Sequence, residues 1–214
     1  MVVASRKERE RVQRKEAILD AAMRVFERKG YQATSMGEIA KEAEFSKGTL
    51  YLYFDSKFGL FAELSNRVLS RVLAGFTEIS QEELQGRAMI GKMLRLWSTI
   101  AGSNIKQFRL AMSWIASDER ADQQDQGAKC HRESVGMIIG LLVSAITHGK
   151  KDGSVLREGD PTTMACQLWA GMMGALLFFS RMEDLGNDFP MEVVADNFMS
   201  DFVDLLAAGV GAES

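Results

Sequence analysis

Apolar residues recur at helical spacing along most of the chain. Ile18, Ala21, Ala22, Val25 and Phe26 trace one face of a helix, and Phe61, Leu64, Val68, Val72 and Phe76 trace another. No segment alternates with period two between turn residues, and only 2 prolines interrupt 214 residues. The pattern predicts an all-α chain. A first helix is expected from about Glu10 to Lys29, stopped by Gly30. Thr34 or Ser35 then serves as N-cap of a short helix over Met36–Ala43, and Ser35 with Glu38 forms the S-x-x-E capping box. The turn Glu44-Phe45-Ser46 leads into a third short helix near Lys47, and Asp55-Ser56 caps a fourth over Ser56–Ile79. Further helices are expected at about 84–102, 105–117, 124–150, 161–182 and 190–208, with Pro161 and Pro190 at helix starts.

Two short helices joined by a three-residue turn and braced by longer ones describe a helix-turn-helix, whose second helix enters the major groove of DNA. That gives the stretch FSKGTLYLYFDSKFGLF, residues 45–61, a reading as the recognition helix and its exit. Gly48 and Thr49 are small enough to let backbone approach DNA, and Lys47 reaches a guanine edge or a phosphate. Tyr51 and Tyr53 can donate hydroxyls to phosphate, unless their rings belong to the core. Lys57 lies where a phosphate would pass, and Ser35 and Ser46 open helices whose first N–H groups suit phosphate. Leu50 and Phe54, four apart, form the buried face.

Charge supports this placement. The chain carries a net −3, but residues 1–60 hold 12 Lys+Arg against 9 Asp+Glu, leaving the remainder at −6. Arg6, Lys7, Arg9, Arg11, Arg14 and Lys15 form a basic arm over residues 1–15 that would seek phosphate beside a nucleic-acid-binding unit. The chemistry of catalysis is missing: there is no phosphate loop, nucleophile elbow or metal-ligand cluster, and the adjacent Cys130 and His131 would point about 100° apart on a helix. No catalytic residue, metal or cofactor is expected. Cys130 and Cys166 form no CxxC pair, and the N-terminus has no signal-like apolar run, so a cytoplasmic protein with reduced thiols is expected. Residues 161–180 are uncharged over a membrane-spanning length, but with Gln167 inside and no flanking basic cluster they read as a helix buried on all sides.

The run from Gly30 to Phe61 resembles the DNA-binding domain of the TetR family of bacterial transcriptional repressors, through G-Y-x-x-T-S-x-x-x-I-A and then S-K-G-T-L-Y-x-Y-F-x-S-K. The likeness covers about fifty residues with the first helix. It departs at Glu44-Phe45, where many members have Gly-Val, and at Phe58-Gly59, where an acidic residue is usual. If the turn needs positive φ, Glu44 carries strain of order 1 kcal/mol. The resemblance implies a helix-turn-helix domain over 1–56 and a helical ligand-binding and dimerisation domain over 57–214. It implies DNA contacts from Ser46, Lys47, Gly48, Thr49, Tyr51, Tyr53 and Lys57, and adds Met36 and Gly37, the methionine facing a thymine methyl.

It further implies a homodimer through the helices near 161–182 and 190–208, with Gly171 and Gly174 permitting close helix approach. One face of the uncharged helix would then meet the core and another the second subunit. The Met- and Trp-rich second half suits a small hydrophobic or aromatic inducer, with Trp97, Phe108, Met112, Trp114, Met137, Trp169 and Met172 as candidate contacts. Met89, Met93 and Met173 belong to the same set, and His131, Arg109 or Gln167 would add a polar contact. The expected protein is a repressor released by inducer from a palindromic operator; a ligand-independent or activating regulator is the alternative.

Overall fold

The computed structural model describes residues 5–105, 126–181 and 198–210, and these are helical with short connections. Helix α1 spans Arg6–Lys29. It starts four residues before the periodicity suggests, because the Ser5 hydroxyl accepts from the Glu8 N–H and caps it there. Helix α2 is Met36–Glu42, α3 is Lys47–Tyr51 and α4 is Lys57–Ser80. Helices α5 (Gly86–Gly102), α6 (Gln126–Asp152), α7 (Pro161–Arg181) and α8 (Phe198–Val210) follow. The expected helix over 105–117, most of the connector 117–127 and Pro190 lie outside the described residues.

The chain divides into two compact units: the first runs to Arg67 in α4 and also takes in the start of α6 up to Arg132, and the second takes the rest of α4 from Val68, α5, α6 from Glu133, α7 and α8. In the first unit α1, α2, α3 and the first turns of α4 enclose one core. Ile18, Leu19, Ala22, Val25 and Phe26 of α1 meet Ile39, Leu50, Phe54, Leu60, Phe61 and Leu64. Tyr31 sits at its centre, 1% exposed, with ring centroids 5.5 Å from Phe26 and 5.4 Å from Phe61. Each such side chain contributes roughly 1.5–3 kcal/mol by leaving water, so a five-residue helix such as α3, too short to persist alone, is held by Leu50 and its neighbours.

The second unit takes Val68, Val72 and Phe76 from α4 and packs them with α5 (Met93, Leu94, Trp97), α6 (Ile138, Leu142, Ile146), α7 (Ala165, Met172, Leu176) and Val203 of α8. Its tightest approach lies at the start of α5. A β-carbon on Gly86 would overlap the backbone of Gly149 and lie 2.6 Å from the Ala145 carbonyl oxygen. Asp152 locks the same corner: one carboxylate oxygen accepts from the Gly86 N–H at 2.8 Å and the other from the Ser154 N–H at 2.8 Å.

Helix α7 corrects one expectation. It is long and apolar enough to cross a membrane, yet only 33% of that stretch is buried, so it is not enclosed on all sides. Cys166, Gln167, Ala170, Gly174, Leu177 and Phe178 form an exposed stripe, because the neighbouring helices of one chain cover only its inner face. A β-carbon on Gly171 would meet Leu206 and Phe202 at an ordinary contact distance of 3.6 Å, and one on Gly174 would face open space.

Candidate nucleic-acid interface

Three serines set the helix starts that frame the candidate interface. The Ser35 hydroxyl accepts from the Glu38 N–H while the Glu38 carboxylate accepts from the Ser35 N–H at 2.9 Å, the reciprocal capping box. Thr34 is not the cap: its hydroxyl donates to the Gly30 carbonyl at 2.7 Å. The Ser46 hydroxyl accepts from the Thr49 N–H at 3.0 Å and shares a hydrogen bond of 2.9 Å with the Thr49 hydroxyl. Ser56 accepts from the Gly59 N–H at 2.8 Å at the start of α4.

The turn between α2 and α3 is a Schellman motif. Phe45 N–H donates to the Ala40 carbonyl at 2.9 Å and Glu44 N–H to the Lys41 carbonyl at 3.2 Å. The motif requires a left-handed residue after the cap, and Glu44 fills that place with φ 58°. It is the sole non-glycine residue with positive φ among those described. Phe45 then folds onto the core beside Ala40.

Helix α3 presents two faces. Leu50 is fully buried and Phe54 nearly so, while Ser46, Lys47, Gly48, Tyr51 and Leu52 are exposed on the other side. Tyr51 is 50% exposed, so its ring is not part of the core; Tyr53 is half-buried and packs on it. Leu52, 79% exposed, lies on the outward face with Gly48 and was not among the residues singled out by sequence. Thr49 is half-buried behind its bond to Ser46, and Met36 packs partly against the core. The Lys57 ammonium donates to the carbonyls of Tyr31 at 3.1 Å and Gln32 at 3.4 Å and sits 4.3 Å from the Tyr31 ring centroid. It is therefore anchored at the rim of the unit.

Ion pairs brace α1 against α2. Glu42 accepts from Arg24 at 2.9 Å and from Arg28 at 2.7 Å, and these hydrogen bonds, Arg28 first, hold its carboxyl down to about 2. Glu38 pairs with Lys29 and with both Ser35 donors, which brings it to about 2 as well. Periodicity carries no signal for this clamp, since all its members are surface charges.

The candidate inducer contacts within the described residues differ in burial. Trp97 and Met172 are fully buried in the second core, Trp169 packs partly on it, and Met137 is 51% exposed. Phe108, Met112 and Trp114, with Arg109, lie outside the described residues. His131 stands at the start of α6 within the first unit, half-buried, with its pKa lowered by burial and then by Arg132. The second unit holds cavities among its described residues. One of about 550 Å³ is walled by Glu82, Glu83, Leu84, Met89, His148 and Asp152, and one of about 80 Å³ by Arg157, Met164, Gln167, Leu168 and Leu206. Of the candidates, Met89 lines the first and Gln167 the second.

Comparison with known proteins agrees with this layout. The profile of "Bacterial regulatory proteins, tetR family" matches residues 18–64, the helix-turn-helix and its bracing helices. The HTH-type transcriptional regulator YuxN of Bacillus subtilis is 36% identical over 121 residues, 56% of this chain and 40% of its own length. The Bacillus subtilis "Fatty acid metabolism regulator protein" is 24% identical over 202 residues, covering 90% of this chain and 93% of that one. A solved structure of FadR from Bacillus subtilis in complex with stearoyl-CoA shares the fold, with TM-score 0.72 at 17% identity over 91% of this chain and 98% of that one. The chain thus spans 40% of the length of one relative and nearly all of the other. With the family's motif residues set in a helix-turn-helix of the expected geometry, residues 18–64 of this chain form the helix-turn-helix domain of the tetR family of bacterial regulatory proteins.

Proposed function

We propose that the chain is a homodimeric, sequence-specific DNA-binding regulator of transcription, acting in the cytoplasm as a repressor released by an apolar ligand. The observation that carries the DNA reading is the outward face of α3: Lys47, Gly48 and Tyr51 stand exposed while Leu50 locks the opposite side into the core. In this reading Lys47 and Gly48 meet base edges, Tyr51 and Lys57 hold backbone phosphates, and Ser35, Met36, Gly37, Ser46, Thr49 and Tyr53 flank the contact. In this reading residues 1–56 are the DNA-binding domain, and residues 57–214 sense ligand and dimerise. Tyr51→Phe and Lys57→Ala weaken all duplexes alike, whereas Lys47→Ala also relaxes preference at the base pair it reads. Equal loss across every base substitution for Lys47→Ala contradicts the base-reading role.

The uncovered stripe of α7 supports a dimer interface. Leu177 and Phe178 are 41% and 37% exposed, Leu205 on α8 is 68% exposed, and Gly174 leaves room for a partner helix. A sedimentation mass of two chains at micromolar concentration is expected; one chain contradicts it. Two such chains would set their recognition helices about 34 Å apart, one turn of DNA.

For the ligand, similarity to a fatty acid metabolism regulator along almost the whole chain, and a second core rich in Met89, Met93, Met164 and Met172, favour a long acyl chain over an aromatic ring. Stearoyl-CoA, the ligand of the FadR neighbour, is the first compound to test. Release of operator DNA by stearoyl-CoA and not by CoA supports this; equal release by both, or none, contradicts it. The ligand has to favour the DNA-incompetent state by several kcal/mol for a strong response.

A further inference from the structure

The side chain of Lys47 does not simply project from α3. A β-carbon built on Gly37 would clash with Lys47 Cε, come within 2.9 Å of its Nζ and lie 3.8 Å from Cδ. The lysine stem therefore runs across the bare Cα of Gly37, in the first turn of α2, and this surface of α2 is its seat. No charge pulls it there. The Lys47 ammonium makes no hydrogen bond or ion pair among the described residues. Glu38, the carboxylate next to Gly37, is occupied by Lys29 and by the Ser35 hydroxyl and N–H.

We propose that Gly37 is a positioning residue for DNA recognition: by lacking a side chain it fixes where the Lys47 ammonium is presented, so residue 37 sets operator preference through Lys47. The inference rests on the DNA-binding reading above. Physically, a free lysine explores many rotamers, and ordering it on DNA costs much of that freedom. A stem laid in a groove with its ammonium uncommitted meets a phosphate or guanine edge with less to lose. Any β-carbon at position 37 closes the groove. Because the clash is with the far end of a flexible side chain, the lysine moves aside and the fold stays intact. Alanine also suits a helix better than glycine.

The test is a double-substitution cycle on the full-length protein. Operator DNA is first selected from a random duplex library with the unsubstituted chain. Affinity for that operator, and for each single base-pair variant of it, is then measured for Gly37→Ala, Lys47→Ala and the double substitution, with thermal unfolding as the fold control. Gly37→Ala is expected to lose about tenfold in affinity, the scale of one good base or phosphate contact. It changes preference at the same base pair as Lys47→Ala, adds less than about twofold once Lys47 is alanine, and leaves the melting temperature unchanged or higher. An undiminished tenfold loss in the Lys47→Ala background overturns the proposal, since Gly37 would then act through its own contact with DNA. So does no loss in the presence of Lys47. Failure of the unsubstituted chain to select any sequence would show itself before any substitution, and it would overturn the DNA-binding reading together with this inference.

Discussion

Replacing Glu44 by glycine should stabilise the protein. Glu44 occupies the left-handed position of the Schellman turn at φ 58°, where a β-carbon crowds the following carbonyl. That crowding costs a non-glycine residue about 1–2 kcal/mol. Glycine removes it but gives back roughly 0.5–1 kcal/mol through the greater freedom of the unfolded chain. The net gain expected is about 0.5–1 kcal/mol. The carboxylate is exposed and makes no ion pair among the described residues, so little is lost with it. Asparagine, which tolerates the left-handed region, should fall between, and Glu44→Ala should stay within about 0.5 kcal/mol of the parent. All three tryptophans lie at or beyond residue 97, so tryptophan fluorescence does not report on this turn. Native-state hydrogen exchange at the Ile39, Ala40 and Phe45 amides does, in the absence of DNA. The order Gly, Asn, then Ala level with Glu is the signature of backbone strain. If Ala gains as much as Gly, removal of the charge is the cause and the strain argument fails.

Glu42→Gln should destabilise the first unit at neutral pH. The native Glu42 carboxyl titrates near 2 under Arg28 and Arg24, against roughly 4.3 unfolded, so its stabilisation is complete above about pH 5 and disappears as pH falls toward 2; denaturation midpoints of parent and variant should converge over that window, and a constant gap would refute the linkage. Gly86→Ala should cost about 2 kcal/mol, because the added carbon meets the Gly149 backbone, which cannot move aside; a change below 0.5 kcal/mol in urea unfolding would show that the corner is looser than drawn. Asn66→Leu should stabilise by about 1–3 kcal/mol, since both polar atoms of the Asn66 amide are sealed from solvent with no hydrogen-bond partner among the described residues; a loss of stability would mean that they are satisfied in solution.

The sequence made the first unit legible because its determinants are local. A serine before each short helix, Gly30 after the first and Leu50 with Phe54 four apart fix the element starts, and each was found at its expected place within a few residues. The turn strain at Glu44 was readable for the same reason: an atypical residue stood where a left-handed one is needed. What periodicity could not carry was tertiary. It gives the apolar face of α7 but not how far one chain covers it, so the helix that should have been enclosed shows a stripe from Cys166 to Phe178. It also ranks Trp97 and Met137 together as large apolar residues, though one is fully buried and the other 51% exposed. The close pairs Gly86–Gly149 and Gly37–Lys47 join residues whose spacing follows no helical repeat, and the glycines carry no side chain to mark them.

The central claim is that α3 reads a specific DNA sequence. Fluorescence anisotropy of the purified protein on the duplex that flanks its own gene, against a scrambled duplex and at two salt concentrations, tests it most directly. The account predicts binding at least about a hundredfold tighter to the flanking duplex, within the range by which specific sites exceed non-specific ones, with both affinities falling steeply as salt rises. Equal, salt-sensitive affinity for both duplexes, repeated with fragments selected from the whole genome, would contradict sequence-specific recognition.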